Sequence, residues 1–75
     1  MSKLPMLKSR EVVNALLKAG FKPKRQRGSD VRLKHLDGRV VTVPQHGLDD
    51  IGRGLLHKIL RDAEIGKDDF LKLLD

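Results

Sequence analysis

The basic side chains in the middle of the chain are the first residues of this sequence that could do chemistry. Residues 22–39 hold seven of them against two acidic residues, a net +5 within a chain of 75 residues whose formal charge is +6. Such a concentration of charge attracts polyanions at long range, and phosphates neutralised by lysine or arginine release counterions. A charged run can also be a merely solvated surface, but its concentration here favours nucleic acid. The basic residues are Lys22, Lys24, Arg25, Arg27, Arg32, Lys34 and Arg39.

Three histidines are the candidates for proton transfer. His46 could act as an acid, a base or a phosphate contact, or it could be a structural residue that hydrogen-bonds its own loop. His35 is predicted at the end of a strand and partly buried, and His57 on the exposed side of a helix. Ser29 has no neighbouring base in sequence, which disfavours a serine nucleophile, but its hydroxyl and the amides of Gly28 and Ser29 could contact a phosphate.

Composition excludes several function classes. The chain has no cysteine, which excludes disulfides and thiolate metal sites and fits a cytoplasmic protein. The histidines lack paired ligand spacing and no P-loop pattern is present, so we expect neither a metal nor another cofactor. Only Phe21 and Phe70 are aromatic, too few for a base-stacking platform. No apolar run approaches the roughly 20 residues of a membrane span, and the length predicts a single domain over residues 1–75.

The first half of the chain predicts one helix and an edge strand. Residues 9–19 have apolar positions at helical spacing, with Ser9 as a possible N-cap and Gly20 as a left-handed end. Residues 21–27 predict a strand, which Pro23 restricts to an edge or a bulge because proline cannot donate to a central ladder.

A β-hairpin is the clearest local prediction. Residues 30–36 alternate, with Val31 and Leu33 on one face, and Asp37-Gly38 predicts the tight turn before a returning strand over residues 39–44. The opposite, solvated face is expected to carry Asp30, Arg32 and Lys34.

The last third of the chain predicts two helices. Residues 45–52 form a loop in this interpretation, and the pairs Asp49-Asp50 and Asp68-Asp69 precede or begin the helices, where negative charge is favourable. The complete prediction is an α+β fold of order α-β-β-β-α, with a three-stranded antiparallel sheet and a short C-terminal helix.

The order and spacing of several short motifs resemble the HicA toxin family, also described as YcfA-like proteins, over about residues 9–74. The resemblance implies a double-stranded-RNA-binding-like fold, cleavage of messenger RNA, and neutralisation by a HicB antitoxin that covers the active surface. It also implies a catalytic histidine directly after the Gly-Ser pair. The motifs are Gly28-Ser29, Asp37-Gly38-Arg39, Val43-Pro44-Gln45-His46, Gly54, Ile59-Leu60-Arg61-Asp62-Ala63 and Asp69-Phe70-Leu71.

The residue after Gly28-Ser29 departs from the family pattern, because Asp30 stands where the resemblance implies histidine. An imidazole, with a usual pKa of about 6.5, accepts and returns a proton near neutral pH. A carboxylate, with a usual pKa of about 3.9, is a much weaker base. Asp30 could still support slow cleavage, or mark a binding-only relative or an inactivated copy.

The leading hypothesis is a HicA-type endoribonuclease whose exposed sheet face holds messenger RNA, with Asp30 as base or orienting group and His46 as its partner. The alternative is a catalytically inactive domain that binds RNA or a HicB-like antitoxin. A DNA-binding helix-turn-helix is disfavoured because the basic residues cluster on strands. The residues expected to bind RNA are Lys24, Arg25, Arg27, Gly28, Ser29, Arg32 and Lys34.

Overall fold

A computed structural model describes residues 6–24, 30–44 and 50–74 of the chain. Its elements confirm the predicted α+β class, the order α-β-β-β-α and the short C-terminal helix. The helices are α1 (Ser9–Lys18), α2 (Arg53–Ala63) and α3 (Lys67–Leu73). The strands are β1 (Leu7–Lys8), β2 (Lys22–Pro23), β3 (Asp30–Lys34), β4 (Val40–Pro44) and β5 (Asp50–Ile51).

The central sheet is antiparallel in the order β2-β3-β4, so β3 lies in the middle and the proline-containing β2 lies at an edge. Leu33 pairs with Val41 and Val31 with Val43, which places the four apolar residues of the hairpin on one face. That face is buried under the helices, because each strand side chain at every second position points to the same side. The other face is solvated.

The helices bury one stripe each against the sheet. The central contacts of the core are made by Val12 and Leu16 of α1, Leu56 and Ile59 of α2, and Phe70 of α3, all almost inaccessible to solvent. Helix α1 is followed by Gly20 at φ +103°, a left-handed conformation that suits glycine, as the sequence predicted. Helix α2 instead ends at Glu64, a non-glycine residue at φ +55°.

The expectation that Ser9 is the N-cap of α1 was wrong. Ser9 is the first residue of α1 rather than its N-cap; its buried hydroxyl donates a hydrogen bond to the carbonyl oxygen of Pro44, 2.8 Å away. Lys8 occupies the cap, where its amide donates to Glu11 Oε1 at 2.9 Å. A serine packed against the end of a strand can donate to a carbonyl there instead of accepting from an orphan amide of its helix, and sequence spacing does not distinguish the two roles.

The acidic residue Asp50 also has another role than the one predicted. It lies in β5, which pairs with β1, and its carboxylate contacts Lys8 Nζ at 2.8 Å. Gly52 is the N-cap of α2. Asp68 and Asp69 do lie in the first turn of α3, as expected, whereas Asp49 is outside the described residues.

Among the described ranges, each helix lacks the length and the unbroken apolar surface that crossing a lipid bilayer requires.

Candidate nucleic-acid interface

The solvated face of the central sheet carries the described residues that were expected to bind phosphate. Along β3 the side chains alternate between exposed and buried, and Asp30, Arg32 and Lys34 are on the exposed side, as the sequence pattern predicted. Val31 and Leu33 point the other way into the core. The alternation therefore positions the polar groups, because the apolar positions between them are fixed by burial.

Strand β2 brings two further cations onto the same face. Lys22 pairs directly with Lys34, and the amide of Lys24 donates to the carbonyl oxygen of Arg32 at 2.6 Å, which extends the pairing by one residue. All four side chains are exposed. Side chains directly opposite one another on antiparallel strands have Cβ atoms about 4.5–5.5 Å apart. We call Lys22, Lys24, Arg32 and Lys34 the four-cation cluster.

The four-cation cluster has no intramolecular counterion in residues 6–24, 30–44 and 50–74. None of its members takes part in the ion pairs of those ranges, and Asp30 is the one acidic residue on this face there. Like charges directly opposite across two strands destabilise a sheet. The arrangement therefore costs folding stability and leaves the cations available to an external polyanion.

The β4 side of the same face is uncharged. Val40 stands opposite Lys34, Thr42 opposite Arg32 and Pro44 opposite Asp30. Among residues 6–24, 30–44 and 50–74, positive charge on the face therefore follows β2 and β3, and a polyanion that neutralises these cations must lie along those two strands.

A shallow groove of about 250 Å³ adjoins the cluster at the end of β3 that is remote from Asp30. It is lined by residues of the turn after α1, of β2 and of the hairpin end, and three of its six lining residues are lysines. The lining residues are Gly20, Lys22, Lys24, Lys34, His35 and Leu36.

Arg39 does not belong to the basic surface, although it contributed to the charge concentration in the sequence. Its Nε atom lies 2.8 Å from Asp37 Oδ2, and its Nη1 donates to the carbonyl oxygen of Ala63 at the end of α2. The guanidinium also lies over the ring of Phe21, 5.2 Å from the ring centroid. The side-chain hydrogen bond from Arg39, followed by one from its amide, lowers the pKa of Asp37. Arg39 and Asp37 therefore neutralise each other and join the hairpin turn to α2.

The described histidines have structural or solvent-exposed positions. The ring of His35 is half-buried and meets Phe21 edge-on at a centroid distance of 5.1 Å. The amide of Asp37 donates to His35 Nδ1 at 3.2 Å, so one ring nitrogen is occupied within the hairpin. His57 is exposed on α2. Both placements agree with the sequence expectations.

Five of the predicted site residues lie outside the described ranges, so their roles stay predictions. They are Arg25, Arg27, Gly28, Ser29 and His46. Of the remaining four, the structure brings Lys24, Arg32 and Lys34 together and places Asp30 at the other end of β3 on the same face. Lys22 was counted in the charge concentration but was not selected as a site residue. The β2–β3 register was the signal that identifies it.

No described group of three carboxylate or imidazole side chains is arranged to hold a metal ion. The chemistry that the described face offers is ionic contact and hydrogen bonding to phosphate oxygens by ammonium and guanidinium groups. It also offers one carboxylate, at residue 30, which would lie against any polyanion bound along β3.

The sequence model of the family described as "HicA toxin of bacterial toxin-antitoxin" matches residues 9–65, more than two thirds of the chain. The matched part contains α1, the whole central sheet and α2. No curated protein matches the chain significantly.

Proposed function

The chain belongs to the HicA toxin family of bacterial toxin–antitoxin systems, and on that premise we propose that it binds messenger RNA across the solvated face of its central sheet. The observation that carries the proposal is the four-cation cluster, whose members share one exposed face without intramolecular counterions in the described ranges. Arg25 and Arg27, in the segment between β2 and β3, are proposed as further phosphate contacts, together with Gly28 and Ser29.

Contacts of this kind recognise the backbone rather than the bases. Lysine and arginine side chains bind phosphate oxygens whatever the sequence, while base recognition needs stacking rings or side chains that reach base edges. Both phenylalanines are fully buried in the core, so neither supplies a stacking surface. RNA affinity is therefore expected to depend strongly on salt concentration and weakly on RNA sequence.

Cleavage is the activity that the family resemblance implies, and Asp30 is the residue that opposes it. At this position the resemblance implies a histidine, which could exchange a proton near neutral pH, whereas Asp30 offers an exposed carboxylate on the face proposed to bind phosphates. Its charge repels the scissile phosphate, and as a base it is weaker than imidazole. We therefore propose that the chain binds RNA and cleaves it slowly or not at all, with His46 insufficient to replace the missing imidazole.

The partner proposed for the same face is a HicB-like antitoxin, acting in the cytoplasm where messenger RNA is available. An antitoxin that covers the four-cation cluster would have to neutralise it, so acidic side chains are expected on the covering surface. RNA and antitoxin should then compete for the chain.

The experiment that tests the proposed function measures RNA binding and cleavage separately. The wild-type protein, Asp30→Asn and Asp30→His are each incubated with a long messenger RNA, and Arg32→Gln serves as the binding-deficient control. All three residue-30 proteins should bind RNA, and Asp30→Asn should bind more tightly because the repelling charge is removed. Asp30→His should cleave roughly 100-fold faster than wild type, a typical gain from general acid–base catalysis.

Two results would contradict the proposal. Wild-type protein that cleaves as fast as Asp30→His would show that the residue type at position 30 does not limit the reaction. Wild-type protein whose RNA affinity equals that of Arg32→Gln would remove the sheet face from the binding surface.

A further inference from the structure

The groove beside the four-cation cluster lies far from residue 30, the position at which the family resemblance implies cleavage chemistry. Lys34 is four residues from Asp30 along β3, which corresponds to about 13 Å at the rise of a β-strand. A single phosphate group cannot contact both ends of such a distance. Any anion bound in the groove is therefore a different group from the one next to residue 30.

Three of the six residues that line the groove are lysines. Lys22 and Lys34 are direct cross-strand neighbours, and Lys24, just after β2, lies on the same face opposite Arg32. Gly20, His35 and Leu36 complete the lining. An alanine Cβ at Gly20 would lie 2.9 Å from His35 Nε2, so the backbone of the turn packs closely against the imidazole.

The groove also lies at one end of the row of cations that the four-cation cluster forms on the sheet. Among the described residues, positive charge on this face follows β2 and β3, whereas the β4 residues on it are Val40, Thr42 and the half-buried Pro44. At the groove's hairpin side, Leu36 has 89% of its surface exposed. A phosphodiester chain that starts beside residue 30 and follows the cations must therefore pass along β3 and reach the groove.

We propose that the groove is a phosphate-binding subsite for the RNA backbone, remote from residue 30 and formed by Lys22, Lys24 and Lys34. The inference rests on the proposed function and adds to it the direction in which the RNA lies and a distinct role for Lys22, which was counted in the charge concentration but was not among the residues expected to bind RNA. The ligand is a phosphodiester rather than a base, because the described lining contains no aromatic ring apart from the imidazole of His35, which packs on Phe21.

The test compares single lysine and arginine substitutions of equal charge change. An unstructured, fluorescently labelled RNA oligonucleotide is titrated with wild type, Lys22→Gln, Arg32→Gln and Lys58→Gln at several salt concentrations. Lys58 is exposed on α2, which packs on the buried face of the sheet, so its variant controls for net charge. Lys22→Gln should weaken binding several-fold and reduce the salt slope by about 0.7, the value for one phosphate on a single strand. Lys58→Gln should behave like wild type.

Shortening the RNA separates a distinct subsite from a general effect of charge. With oligonucleotides too short to extend from residue 30 to the groove, the affinity loss of Lys22→Gln and the affinity gain of Asp30→Asn should not occur together, because one bound RNA cannot reach both ends of β3. With long RNA both should be present. Lys22 is exposed, and urea unfolding of each variant checks that affinity changes are not caused by unfolding.

Different results would contradict the subsite and the proposed function. If Arg32→Gln weakens binding and Lys22→Gln behaves like Lys58→Gln, the groove is not a subsite and the proposed function stands. If the Lys22→Gln loss and the Asp30→Asn gain persist together at every RNA length, the groove is not a separate subsite. If wild type does not bind RNA, or if all three variants weaken binding equally, the proposed function fails and the subsite with it.

Discussion

Two arginines seven positions apart illustrate how position in the fold decides the role of one side-chain type. Arg32 is exposed on the solvated face of the sheet and contacts no acidic residue in the described ranges. Arg39 is held by Asp37, by the carbonyl oxygen of Ala63 and by the ring of Phe21. Arg32 is therefore expected to bind RNA, and Arg39 is expected to stabilise the fold.

The pair predicts opposite consequences for the same substitution. Arg39→Met should lower the free energy of unfolding by about 1–3 kcal/mol, because it removes a hydrogen bond that links the hairpin to α2 and a cation–π contact. Arg32→Met should change it by less than about 0.5 kcal/mol, as expected for a surface substitution. Urea denaturation measures both. Equal destabilisation by the two substitutions would contradict the structural role of Arg39.

The ion pair between Asp37 and Arg39 predicts a dependence of stability on pH. Because the hydrogen bond from Arg39 lowers the folded-state pKa of Asp37, the pair contributes stability above the unfolded pKa of about 3.9. This contribution is lost as the pH falls through the lower folded-state value. Wild type should therefore be more stable than Asp37→Asn at neutral pH, and the difference should shrink towards acid pH.

Arg39→Met provides the background that tests this explanation. In that background Asp37→Asn should have little effect on the pH dependence of unfolding, since the interacting cation is absent. A difference between wild type and Asp37→Asn that stays constant from neutral to acid pH would show that the carboxylate does not act through its charge.

For individual residues, the sequence predicted solvent exposure well. It did not predict which charged side chains are held by other groups of the protein. The alternation of Asp30, Arg32 and Lys34 with buried residues follows from strand geometry and was correct. The hydrogen bond from Arg39 to the carbonyl oxygen of Ala63 depends on where α2 ends, 24 residues away in sequence. Charge counting contains no information about such a distant carbonyl.

Among the elements, the turn between α1 and β2 has the tightest steric requirement. Gly20 adopts φ +103°, and the imidazole of His35 occupies the space where a side chain would begin. Gly54, in the first turn of α2, has nothing within 4 Å of an added Cβ. The two glycines therefore form a matched pair for the same substitution.

Gly20→Ala should destabilise the fold by about 1–3 kcal/mol, because it combines a left-handed backbone strain with a contact to His35. Gly54→Ala should stabilise it by up to about 1 kcal/mol, since alanine is the better helix former. Thermal or urea unfolding of both variants is the measurement. A Gly20→Ala protein as stable as wild type would mean that the turn and the imidazole can move apart at no cost.

Local patterns predicted the long elements and missed the short pairing of distant segments. The hairpin followed from Asp37-Gly38 and β-branched residues, and α1 from the spacing of its apolar residues. Strands β1 and β5 have two residues each and lie more than 40 positions apart. Two residues have no measurable periodicity, so Asp50 was interpreted as a helix-start residue instead of the partner of Lys8.

For the whole molecule, the uneven charge distribution predicts how strongly binding depends on salt. The chain has a net charge of +6, and the four-cation cluster concentrates positive charge on one face. If each of its members neutralises one phosphate, the logarithm of RNA affinity should fall against the logarithm of salt with a slope of about −3 or steeper. Fluorescence anisotropy at several salt concentrations measures this slope. A slope near zero would exclude phosphate contacts as the source of affinity.

The most direct test of the central claim is to map where RNA binds by NMR. Isotope-labelled protein is titrated with an unstructured RNA oligonucleotide, and the amide shifts are followed residue by residue. The largest changes are predicted along β2 and β3, at residues 22–24 and 30–34, with small changes on the outer surfaces of α2 and α3. Changes concentrated on the helices, with β2 and β3 unaffected, would contradict the account.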